Sequence, residues 1–141
     1  EDKIRNTGQN RSINRHRWDL EELMTKLDDQ QSTHAKVLFG LSMLIRIRRS
    51  QPAFHPNATQ FTLQLGTGIF GYWRQSIDRQ QSIFCLSNIT DETQEVRLSD
   101  INLIENNLWH DLIAKQPINH AIEQLCFAPY QTMWISNKAG G

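Results

Sequence analysis

The chain lacks any bias of charge. Its 141 residues carry 15 Lys+Arg and 15 Asp+Glu, a formal net charge of zero. A nucleic-acid or membrane-surface binder needs a basic field, so neither partner is expected. Long hydrophobic runs are also missing, and none approaches the roughly 20 residues of a membrane span. No signal-peptide pattern opens the sequence, and Glu1-Asp2-Lys3 reads as the interior of a longer chain. Cysteine is scarce. Cys85 and Cys126 both sit in apolar, strand-like runs, SIFCLSN and EQLCFAP, which predicts two buried free thiols in a reducing, cytoplasmic setting. Sequons occur at Asn10, Asn57 and Asn88. They carry meaning only in a secreted protein of a glycosylating cell, and chance explains them. Repeats and low-complexity tracts are absent.

What remains is an ordinary globular composition, with 38% hydrophobic and 21% charged residues, enough for one respectable core. Residues 1–17 are polar and irregular. Asp19 and Glu22 then have capping-box spacing, and Leu20, Leu23, Met24 and Leu27 form one stripe. This predicts a short helix near 19–28. Ser32 or Thr33 can cap a second one. Val37, Leu38, Leu41, Leu44, Ile45 and Arg48 lie on one face of a helix at 33–50. Arg46, Arg48 and Arg49 suit the negative end of its dipole, and Pro52 and Pro56 stop it. After Pro56 the period changes to two. Phe61, Leu63 and Leu65 alternate with polar residues, and Gly66-Thr67-Gly68 turns the chain. Further short apolar runs follow to YQTMWIS. About seven strands at this spacing predict an antiparallel β-sandwich over 59–137.

The sequence is poor in catalytic signals. His16, His34, His55, His110 and His120 are scattered, without metal-ligand spacing. His110 and Asp111 are neighbours, but successive strand residues point to opposite faces. No phosphate-binding glycine loop occurs. Tyr72, Trp73, Trp109, Tyr130 and Trp134 could form a sugar-stacking platform, although strand aromatics more commonly fill a core. Neither cofactor nor metal is expected. The dense feature is GQNRSINRHRW, where Arg11, Arg15, His16 and Arg17 gather fixed donors suited to clamping the oxygens of a sugar or phosphate. A solvated loop is the plainer reading of such a stretch.

The stretch TGQNRSINRHRWDLEELMTKL resembles the loop after the last barrel strand in sucrose-phosphorylase-like members of the α-amylase superfamily. The family's Gly-x-x-Arg-x-Ile-Asn-Arg core stands here as Gly8-Gln9-Asn10-Arg11-Ser12-Ile13-Asn14-Arg15. LIRIRRSQPAFHPNA is similar to the final barrel helix and its exit. FCLSNITDETQEVRL and LCFAPYQTMWIS resemble strands of the family's C-terminal β domain. The NRSIN form is most similar to the glucosylglycerate-phosphorylase-like branch. The resemblance implies a retaining mechanism in the parent enzyme: a carboxylate nucleophile forms a glucosyl-enzyme, and phosphate then takes the sugar. It also implies that Arg11 or Arg15, and more weakly His16, bind the glucosyl residue or an acceptor anion.

The catalytic carboxylates of such enzymes lie on earlier barrel strands, and a barrel needs about 250 residues. The expectation is therefore a C-terminal portion without glycosyl transfer of its own. It would comprise a barrel remnant at 1–56 and a β-sandwich domain at 57–141, bracing the upstream barrel and supplying one substrate-facing loop. The fragment alone is expected to self-associate through the helix at 33–50. A stand-alone carbohydrate- or protein-binding sandwich is the alternative, and it would have no need of that helix.

Overall fold

Local capping sets the first elements. Asp19, in extended conformation, accepts the N–H groups of Glu21 and Glu22 on its carboxylate, satisfying donors that a helix start leaves orphaned. Helix α1 follows as Leu20–Asp28. Ser32 caps the next helix, since its Oγ accepts the Ala35 N–H at 3.1 Å. Helix α2 runs over Thr33–Arg49. Ser50 N–H and Gln51 N–H bond back to Ile47 and Arg48, and Pro52 starts a 3-10 turn at Pro52–Phe54. This computed structural model describes Gly8 and residues 17–101, 108–119 and 123–139.

The chain divides into two compact units, residues 1–42 and 43–141. The first holds α1 and the larger part of α2. Its helices bury little: α1 has no buried residue, and in α2 only Ala35 is buried.

Besides the end of α2, the second unit is built of strands that pair antiparallel among the described residues. Strands β1 (Thr59–Leu63), β2 (Ile69–Gln75), β3 (Ser82–Asn88), β8 (Thr132–Ser136), β5 (His110–Asp111) and β6 (Gln116–Pro117) form one sheet in that spatial order. Strands β4 (Gln94–Arg97) and β7 (Gln124–Phe127) form a second, two-stranded sheet. A 3-10 turn at Leu98–Ile101 follows β4. The expected sandwich is present, with one strand more than the pattern suggested. That extra strand, β6, is two residues long and carries Pro117, which suits its place at the sheet edge.

Alternation along β3 and β8 assigns the two faces of the large sheet. Phe84, Leu86 and Ile135 join Ile69, Val96, Leu125 and Phe127 in a core closed by the small sheet. Ile83 and Cys85 point to the other face, where Ala53, Phe54 and Leu112 cover them, with Ile47, Tyr72 and Trp134 packed alongside. The end of α2 and its 3-10 exit therefore form a third layer over the sandwich. Gly71 lies within β2 because a Cβ there would meet the Leu65 side chain at 2.8 Å and that of Leu86 at 3.1 Å.

One sequence expectation is corrected. Cys85 is buried and free, but Cys126 is free and exposed. Burial alternates along β7, with Leu125 and Phe127 inward and Gln124 and Cys126 outward. The apolar look of EQLCF concealed that period of two.

Candidate functional site

The three residues favoured from sequence, Arg11, Arg15 and His16, lie outside the described residues. The frame of their loop is described at both ends. Gly8 has φ of 63°, a left-handed conformation that glycine adopts at no steric cost. At the exit, Trp18 meets His34 edge-on, with ring centroids 5.0 Å apart. Lys26 Nζ stands 4.6 Å from the centre of the Trp18 ring, a cation–π contact. Asp19 then caps α1. The loop thus leaves from an indole held by a residue of each helix. Sequence reasoning missed Trp18, although its signal was available: an apolar residue just before an N-cap packs back on the helix it precedes.

The other sequence candidates are dispersed. His34 serves the Trp18 contact, and His55 Nδ1 accepts the Asn57 N–H at 3.1 Å. His120 lies outside the described residues. Among the described residues no group of three or more His, Cys, Asp and Glu could hold a metal, and no helix is long and apolar enough to cross a membrane. Asp111 is buried, and its Oδ1 accepts the N–H groups of Ile113 and Trp134 at 3.0 and 3.2 Å. Its carboxylate braces the β5 turn.

The buried thiol offers no nucleophile. Burial pushes the Cys85 thiol up to about 12, far from the depressed range of reactive cysteines. Burial also carries Tyr72 to about 12. Most of the aromatics are packing groups. Trp109 is buried in the core, tilted against Phe84, Trp73 packs on the same cluster, and Trp134 packs on Phe54. Tyr130 is exposed. These residues make no common platform.

A cleft of about 370 Å³ does exist within the second unit, where the end of α2 meets the β5–β6 hairpin. Met43, Ile47 and Leu112 line it beside Arg46, His110 and Lys115. Residues 46, 110 and 115 come together only through the topology, so their spacing in sequence gave no sign of it.

No protein-family profile matches the chain. It is 36% identical over 125 residues to the glucosylglycerate phosphorylase of Allomeiothermus silvanus, covering 89% of this chain and 20% of that protein. It is 28% identical over 133 residues to the glucosylglycerate phosphorylase of Escherichia coli, covering 94% of this chain and 22% of that protein. Among solved structures, the AmyP complex with maltose superposes on 77% of this chain and 22% of its own, with a TM-score of 0.61 at 15% identity. That likeness supports the fold. The chain spans about a fifth of the length of the curated relatives it matches. The resemblance to glucosylglycerate phosphorylase is therefore borne out along most of this chain, and the likeness to the solved structure shows a β-rich fold of the expected kind.

Proposed function

We propose that this chain is the C-terminal portion of a cytoplasmic, retaining α-glucosyl-transferring enzyme that resembles glucosylglycerate phosphorylase. In this reading residues 1–56 complete the catalytic barrel, and residues 57–141 form the β domain that braces it. The catalytic carboxylates belong to the preceding barrel, and the loop from Gly8 to Arg15 faces the sugar pocket. Arg11 or Arg15 binds the glucosyl residue or an acceptor anion, and His16 is the weaker candidate for the same role.

One observation carries the bracing role. Helix α2 is apolar on more than one side, yet Val37, Leu38, Phe39, Leu41, Met43 and Ile45 are all exposed. A helix that is apolar nearly all round belongs in the interior of a larger protein. A free-standing binding sandwich has no use for such a helix.

The test of the loop is kinetic. In the full-length enzyme, Arg11→Ala or Arg15→Ala should lower phosphorolysis or acceptor affinity about tenfold to a hundredfold, the worth of one charged hydrogen bond at 1.5–3 kcal/mol. Thermal melting of the 141-residue chain should not change. Unaltered kinetics in both variants would remove the loop from the site, and a lower melting temperature without a kinetic defect would make the arginines structural.

A further inference from the structure

We propose that the cleft between the end of α2 and the β5–β6 hairpin is a binding site for a tetrahedral oxyanion, held by Arg46 and Lys115. The cleft lies wholly within the second unit. Met43, Arg46 and Ile47 on α2, with Ser50 just past its end, recur at three- and four-residue spacing and so share one side. Leu44, Ile45 and Arg48 lie on the other side. Met43 also belongs to the exposed apolar surface of α2, so the cleft and that surface adjoin there.

The charges inside the cleft are unbalanced. Neither Arg46 nor Lys115 has an ion-pair partner among the described residues. Asp111, the one carboxylate in the lining, is 3% exposed and already accepts two backbone N–H groups. Among the described residues that leaves two cations without an ion partner in a lining they share with Met43, Ile47 and Leu112. A guanidinium and an ammonium lining one cleft suit an oxyanion with several acceptor oxygens. Ser50 and Gln51 add neutral hydrogen-bonding groups to the rim. His110 lines the same wall, and its Nδ1 is enclosed without a hydrogen-bond partner among the described residues.

Lys115 provides the second argument. It ends the hairpin turn with φ of 56°, a left-handed conformation disfavoured for every side chain except glycine and, to a degree, asparagine and aspartate. Folding alone would favour glycine there. The chain carries a lysine instead, and that lysine lines the cleft. Strain of this kind gathers at binding sites.

The lysine makes the test clean. Inorganic phosphate is titrated into the 141-residue chain by calorimetry, against sodium chloride at equal ionic strength. Saturable binding of phosphate, not reproduced by chloride, is expected. Arg46→Gln and Lys115→Gly should each weaken it at least about tenfold, the loss of one charge-assisted contact. Lys115→Gly should melt at the same temperature as the parent chain or higher, because it relieves the backbone. Arg79→Gly, at another left-handed position with φ of 58° outside the cleft, should gain stability and keep full binding. A hexose phosphate that binds more tightly than inorganic phosphate would identify an esterified ligand, and equal affinity the free ion; both support the site. Binding that does not saturate, matches chloride, or survives both substitutions overturns the proposal. So does a Lys115→Gly variant that loses binding together with stability. If Arg46→Gln fails to fold, Lys115→Gly decides alone.

Discussion

At the scale of single residues, the side chain that ties the layers together is Gln81. It is buried, its Oε1 accepts the Ala53 N–H, and its Nε2 donates to Gln51 Oε1 and Ser136 Oγ. It thereby joins the 3-10 exit of α2 to the sheet. Gln81→Leu leaves those groups buried and unpaired at about 1–3 kcal/mol each, and a total loss of roughly 3 kcal/mol is expected in urea denaturation. Nothing in RQQSIF distinguished Gln81 from Gln80, because its partners lie 28, 30 and 55 residues away. The caps at Asp19 and Ser32 were legible because their partners lie two or three residues away.

Cys85 gives a pH prediction at the same scale. Burial raises its thiol from 9.0 to about 12 and Tyr72 from 10.0 to about 12. Between about pH 9 and 12 the unfolded chain has therefore released protons that the folded chain keeps. The unfolded state binds fewer protons there, so stability is full below pH 9 and falls as pH rises toward 12. For the buried thiol the slope is at most about 1.4 kcal/mol per pH unit. Thermal melts across this range should show the decline, and Cys85→Ala should flatten it even while lowering the plateau.

At the scale of elements, the helices and the longer strands were readable because their periods differ. The change from 3.6 to two at Pro56 reflects a real boundary between helix and sheet. Of the two-residue strands, β5 fell within the expected run LWHDLI, and β6 was beyond such a reading. Gln116–Pro117 is too short to show a period, and the hairpin that pairs it with His110–Asp111, together with the cleft it helps to form, was illegible. Helix α2 held a different lesson. Its stripe of Val37, Leu41 and Ile45 was visible, whereas Phe39 and Met43, exposed on its other sides, broke the one-face picture. Apolar surface of that extent does not stay in water when a second copy can cover it. Sedimentation equilibrium of the 141-residue chain should show association that strengthens with concentration. Leu41→Glu should return it to monomer while changing the chain's own unfolding free energy by less than about 0.5 kcal/mol, as for a surface position. A monomeric parent chain would contradict this.

At the scale of the whole molecule, the same leucine distinguishes a part from a complete protein. Leu41 is 55% exposed in this chain. If a preceding barrel covers α2, full burial of that side chain contributes about 1.5–3 kcal/mol in the full-length enzyme. Glutamate at the covered position would lose that contribution and also carry a carboxylate into an apolar contact without a partner, which costs several kcal/mol more. Leu41→Glu is therefore expected to be nearly neutral for unfolding of the 141-residue chain at concentrations where it is monomeric, and to destabilise the proposed full-length protein by more than about 3 kcal/mol. Leu41→Ala should follow the same contrast at about 2–3 kcal/mol in the larger protein. Lys36, exposed on the same helix, supplies the control, since Lys36→Glu should change neither protein by more than about 0.5 kcal/mol. Paired thermal and urea unfolding of both lengths measures the difference. Equal effects in the two would mean that α2 stays bare in the full-length protein, and the proposed bracing role would have to rest on the sandwich alone.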